Sequence, residues 1–181
     1  MFDVSTIATV VATVSVVIGV IFTVLELRHM TRTRQTDLIM RMYEQINRRD
    51  VMEVMFRVAG SKFTNYEDYV KKYSLTDLAE VIGVFERVGL LLEQKLIDIR
   101  LVDRFFGDMV ATFWERLGPV MNGMRNAARQ PYVGMHFEYL YYRMRTYRGS
   151  DQWKKDHSHW KEYEKKYGLP RPIVYPDRIA S

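Results

Sequence analysis

The chain contains no cysteine. That removes disulfides, thiolate metal ligands and a cysteine nucleophile together, and it fits a reducing compartment. Proline is scarce: five in 181 residues, three of them after Gly168. Neither proline nor glycine occurs between Gly19 and Gly60, so nothing in that stretch breaks a helix. Runs of strand-forming residues bounded by turn signals are missing, and the fold class expected is all-α. The chain also lacks a G-x-x-x-x-G-K-[ST] loop and a G-x-S-x-G elbow, which removes the usual phosphate-cradling and serine-hydrolase signatures. A di-iron helical bundle needs two E-x-x-H pairs, and only Glu26 to His29 fits here. The sequence therefore predicts no cofactor, no metal and no assigned enzyme activity.

What is present begins with "VSTIATVVATVSVVIGVIFTVL", Val4 to Leu25, without one charged residue. At 1.5 Å per residue such a helix covers about 33 Å, enough for a hydrocarbon core of about 30 Å. A secretory signal would carry basic residues first and a small-residue cleavage site after a shorter apolar region. Here Asp3 precedes the stretch, and Glu26, Arg28, His29 and Arg32 follow it. The stretch reads as a membrane span. With Arg28, Arg32, Arg34 and Arg41 all behind it, the positive-inside rule places the N-terminus outside and the remainder in the cytoplasm.

On a helical projection Ser5, Ala8, Ala12, Ser15 and Gly19 share one stripe. Small residues let helix backbones approach closely in lipid, so Ala8, Ala12, Ser15 and Gly19 are the predicted membrane-association face of a homo-oligomer. Arg28, Arg32 and Arg34 are the predicted contacts to anionic lipid headgroups. The formal charge of +5 leaves nucleic acid as the competing partner, and a protein partner is a third class.

The domains expected are a transmembrane helix over 1–27, a basic stalk over 28–49, a helical domain over 50–167 and a Pro-rich tail over 168–181. A composition 48% hydrophobic and 27% charged fits a folded domain rather than a disordered one. Leu38, Ile39, Met42, Tyr43 and Ile46 give the stalk an apolar face. Asp50 with Glu53, and Thr64 with Glu67, have capping-box spacing. Leu75, Leu78, Ile82, Phe85, Gly89, Leu92 and Leu96 form one helical face, and Val102, Phe106, Met109, Phe113 and Leu117 the facing one, capped at Asp98. Gly118-Pro119 predicts a kink or break, and a further helix is expected from about Pro131.

Three groups of residues remain as candidates for chemistry. His157 and His159 point about 200° apart on a helix and cannot chelate one metal from one face. His157 falls instead in an aromatic stripe with Trp153, Trp160, Tyr163 and Tyr167, which reads as packing, with stacking on RNA or a lipid interface as the alternatives. Glu86, Glu115 and Glu138 each lie beside an aromatic and are expected to pair with Arg104, Arg125 or Arg129 across helices. Arg129 and His136, seven positions apart at the start of a helix, resemble the motif of HEPN-type ribonucleases. That resemblance implies Arg129 and His136 acting on RNA phosphate across a dimer, although Gln130 follows the arginine where that family favours a small polar residue.

The segments "FE-x-x-G" (Phe85, Glu86, Gly89), "W-x-x-L-x-P" (Trp114, Leu117, Pro119), Arg125 and "FE-x-L" (Phe137, Glu138, Leu140) resemble a widespread prokaryotic family catalogued as a domain of unknown function. The resemblance implies an N-terminal membrane helix, a basic juxtamembrane stretch and a helical domain, and it implies no activity. The layout is more distantly similar to membrane accessory proteins of RNA-targeting CRISPR systems, which implies a pore-forming assembly.

Overall fold

The computed structural model describes residues 3–158 together with 165 and 166. Seven α-helices, and no strand, occur among the described residues: α1 (Val4–Ile46), α2 (Arg49–Gly60), α3 (Tyr66–Lys72), α4 (Leu75–Glu93), α5 (Ile99–Ala128), α6 (Met135–Arg148) and α7 (Asp151–Asp156). The all-α expectation holds. The chain divides into two compact units between Leu38 and Ile39.

The first unit is the apolar and basic part of α1. Hydroxyls along it donate to its own backbone: Thr13 to the Thr9 carbonyl at 2.8 Å, Ser15 to Val11 at 2.8 Å and Thr23 to Gly19 at 2.9 Å. Such back-bonding lets a hydroxyl-bearing helix enter hydrocarbon without an unsatisfied donor.

The second unit begins inside α1. Ile39, Met42 and Ile46 are buried in it, and Tyr43 meets the Phe105 ring edge-on at 5.2 Å. The folded domain thus starts at Ile39, not at residue 50, because the apolar face of the stalk is core. Further along, α6 packs chiefly on α4 and also on α5; α2 lies on α4, α3 on α5, and α7 on α6. The core is built from Leu78, Phe85, Phe106, Leu117, Phe137 and Met144, each within 1% of complete burial. Burying a side chain of this size contributes about 1.5–3 kcal/mol, which is why the periodic faces of α4, α5 and α6 decide the packing. Leu75 and Leu96, at the ends of the expected α4 face, are about two-fifths exposed, and Leu96 lies beyond the helix.

Two helix caps stand beside the residues the sequence signals point to, two positions away at α2 and one at α3. The N-cap of α2 is Arg48, which makes no side-chain cap; Asp50 pairs with the Arg48 guanidinium instead. Asn65, not Thr64, caps α3 by accepting from the Asp68 amide. Ser74 and Asp98 cap α4 and α5 through their own oxygens. Pro119 lies inside α5, which runs unbroken through it. Packing of Leu117, Val120 and Met121, all fully buried, outweighs the cost of about 3 kcal/mol for an interior proline. The next helix starts at Met135, after a turn over 131–134 that ends on Gly134 in the left-handed region (φ +70°).

Candidate functional site: the junction of α4, α5 and α6

The third helix of this junction, α6, begins without a local cap: Gly134 offers no side chain. The acceptor comes from 50 residues upstream. Glu86 on α4 takes the His136 backbone N–H at 3.2 Å through Oε2. The same oxygen lies 2.7 Å from His136 Nδ1, and Glu93, two turns on, lies 3.3 Å from Nε2. A carboxylate is well placed at a helix N-terminus, where unpaired N–H groups and the helix dipole favour negative charge. Glu86 is therefore both the cap of α6 and one jaw of a clamp on His136. Its second oxygen, Oε1, is buried with no hydrogen-bond partner among the described residues.

Two glycines make this approach feasible. A Cβ at Gly89 would sit 2.0 Å from the His136 carbonyl oxygen, and one at Gly134 would sit 1.5 Å from Met121 Cε. Arg125 on α5 closes the third side. It donates Nε to the Val133 carbonyl at 2.8 Å and Nη2 to Glu138 Oε2 at 2.7 Å. Beneath these polar contacts the aromatic layer is continuous: Phe85 stacks on Phe137 at 4.5 Å, and Trp114 meets Phe137 edge-on at 5.0 Å and stacks on Tyr141 at 5.7 Å. Phe85, Glu86, Gly89, Trp114, Arg125, Phe137 and Glu138 of the motif segments thus converge on one joint. Pro119, which is exposed, stands outside it.

The Arg129–His136 reading meets a different geometry. Arg129 is exposed at the left-handed C-cap of α5 (φ +53°) and makes no side-chain hydrogen bond or ion pair among the described residues. His136 is held between two carboxylates, which put negative charge where an RNA phosphate would have to sit. Of the expected Glu–Arg pairs, Arg125–Glu138 forms, and Glu86 takes a histidine instead of an arginine. Arg116 lies over the Phe63 ring at 5.5 Å. Sequence reasoning missed Glu93 altogether, although its spacing of seven from Glu86 places both on one helical face.

A second polar cluster ties α7 down. Asp103 on α5 is buried and accepts from Arg148 Nε and, at 2.9 Å, from Trp153 Nε1; His157 Nε2 lies 3.3 Å from it. Trp153 and His157 stack at 4.6 Å, so the packing reading of this stripe holds as far as the described residues go. His159, Trp160, Tyr163, Tyr167 and the Pro-rich tail lie outside them. Burial and donation to Asp156 push the Tyr147 phenol well above its ordinary range. Among the described residues no group of three His, Asp or Glu could hold a metal ion.

In α1, Ala8, Ala12, Ser15 and Gly19 are all exposed, as are Arg28, Arg32 and Arg34. A Cβ at Gly19 would meet nothing within 4 Å. This is a helix long and apolar enough to cross a membrane, and none of its most apolar window is buried within the chain.

Residues 13–144 match the model of one protein family, described as a domain of unknown function (DUF4760). No curated protein matches the chain, and no solved structure does.

Proposed function

The chain belongs to the DUF4760 family, and we propose that it is a single-pass membrane-anchored protein whose helical domain serves as a self-associating scaffold or accessory subunit on the cytoplasmic side. The observation that carries this reading is the exposure of α1. Val14, Val16, Val17, Val20, Ile21 and Phe22 are each half or more exposed. A contiguous apolar surface of this size is unfavourable in water and calls for lipid or another helix. Ala8, Ala12, Ser15 and Gly19 are the proposed contact between copies, where small side chains allow close backbone approach. In this reading Arg28, Arg32 and Arg34 meet the headgroups, and the arginine excess behind the span supports, by the positive-inside rule, a domain on the cytoplasmic side. The junction of α4, α5 and α6 supports a scaffold: its ionisable groups are spent on capping and clamping helices.

The test is the mass of the full chain in detergent, by light scattering, beside Gly19→Leu. A discrete oligomer that falls to monomer in the variant supports the association face. An oligomer unchanged by Gly19→Leu places the contact elsewhere, and a monomeric wild type removes the self-association reading.

A further inference from the structure

Several arginines along this chain hold a carboxylate: Arg48 pairs with Asp50, Arg57 with Asp77, Arg100 with Asp98, Arg125 with Glu138 and Arg148 with Asp103. Arg28 and Arg32 do not. They are exposed, and neither makes a side-chain hydrogen bond or ion pair among the described residues. They stand four residues apart on one face of α1, about 6 Å along the axis, where two like charges repel. An open groove on this side of the helix is lined by Val24, Leu27, Arg28, Thr31 and Arg32. The Thr31 hydroxyl is already spent, donating to the Leu27 carbonyl at 2.8 Å, so the two guanidiniums are the donors the groove offers.

The position of this groove around the helix is informative. At about 3.6 residues per turn, Arg28 projects half a turn from Gly19, and Glu26 continues the small-residue stripe. Arg28 and Arg32 instead prolong the bulky side made by Val14, Val17, Ile21 and Val24. The helix is thus two-sided across the point where its apolar run ends. One side is small and then acidic; the other is bulky and then cationic. Arg34 lies about a third of a turn from Arg28 and outside the groove.

We infer that the Val24–Leu27–Arg28–Thr31–Arg32 face binds the phosphate of an anionic phospholipid, with Arg28 and Arg32 on either side of it and Val24 and Leu27 against the first methylenes of the acyl chains. This rests on the membrane-anchor reading and sharpens it: two of the three juxtamembrane arginines form the headgroup site. A phosphodiester between the guanidiniums cancels their mutual repulsion and accepts from both forks at once. Lipid contact on this side also leaves the Gly19 side free for a second copy.

The full chain is reconstituted in phosphatidylcholine vesicles containing trace spin-labelled phosphatidylglycerol or spin-labelled phosphatidylcholine, and the motionally restricted fraction of each label is measured. The wild type is expected to restrict phosphatidylglycerol preferentially. Each of Arg28→Gln and Arg32→Gln should lower that preference by up to about fivefold, and the double variant should abolish it. Arg34→Gln, outside the groove, should lower it by clearly less than either single change. Inorganic phosphate added at constant ionic strength should not displace the label; displacement would make the site one for free phosphate and overturn the inference. Equal loss in Arg34→Gln would replace the two-arginine site by diffuse attraction, and equal restriction of both lipids by the wild type would remove the site while leaving the anchor standing. A wild type that alkaline carbonate strips from the vesicles overturns the anchor and the site together.

Discussion

At Gly89 one hydrogen atom decides whether two helices meet. Alanine there would drive its Cβ into the His136 backbone carbonyl, an atom that cannot swing aside as a side chain would. Gly89→Ala is expected to destabilise the domain by about 1–3 kcal/mol, read as a lowered urea midpoint in mild detergent. The Asp98 carboxylate offers a test by pH. The Arg100 guanidinium that donates to it holds this acid below the usual carboxylate range, against the opposing effect of burial. A group more acidic in the folded state lends stability that is complete above its unfolded value of about 3.9 and is lost as pH falls through the lower folded value. Asn keeps the N-cap acceptor and discards the charge. Asp98→Asn should therefore cost about 0.5 kcal/mol of stability above pH 4 for so exposed a pair, read as a lowered urea midpoint, and the two proteins should converge as the pH falls through the lower folded value.

Among the elements, α5 shows how packing overrules local signals and how backbone geometry reasserts itself at the end. Its interior proline does not stop it, yet it terminates at Arg129, a non-glycine residue in the left-handed region (φ +53°). An L-residue there costs about 1 kcal/mol that glycine avoids. Arg129→Gly is accordingly expected to raise the thermal midpoint of the domain slightly and to leave its assembly unchanged. A loss of stability would show that the Arg129 side chain holds something in the folded state. The faces of α4, α5 and α6 were legible because their apolar spacing survives in any packing. The cap of α6 was not legible, because its donor and acceptor stand 50 residues apart and no local rule connects them.

For the whole molecule, the division at Ile39 separates the long apolar and basic part of α1 from the part that folds around a core. A chain beginning at Gln35 keeps Ile39, Met42 and Ile46, and it should unfold cooperatively while losing retention in vesicles. A chain beginning at Asn47 loses all three buried side chains, at about 1.5–3 kcal/mol each. That sum rivals the entire stability of a domain, about 5–15 kcal/mol. It should show helical circular dichroism without a cooperative melt. Equal melting of the two truncated chains would mean that the end of α1 is dispensable to the core.

The sequence by itself determined the helical class, the membrane-length apolar run, the basic flank and the periodic core faces, because each depends on spacing along one helix. Only the tertiary structure decided that Glu86 caps α6, that Glu93 and Glu86 enclose His136, and that Asp103 gathers Arg148 and Trp153. It likewise decided that the motif residues around Phe85, Gly89 and Phe137 form one joint. Those contacts join residues about 45 to 50 positions apart, and their partners are chosen by how whole helices pack, which no local pattern records.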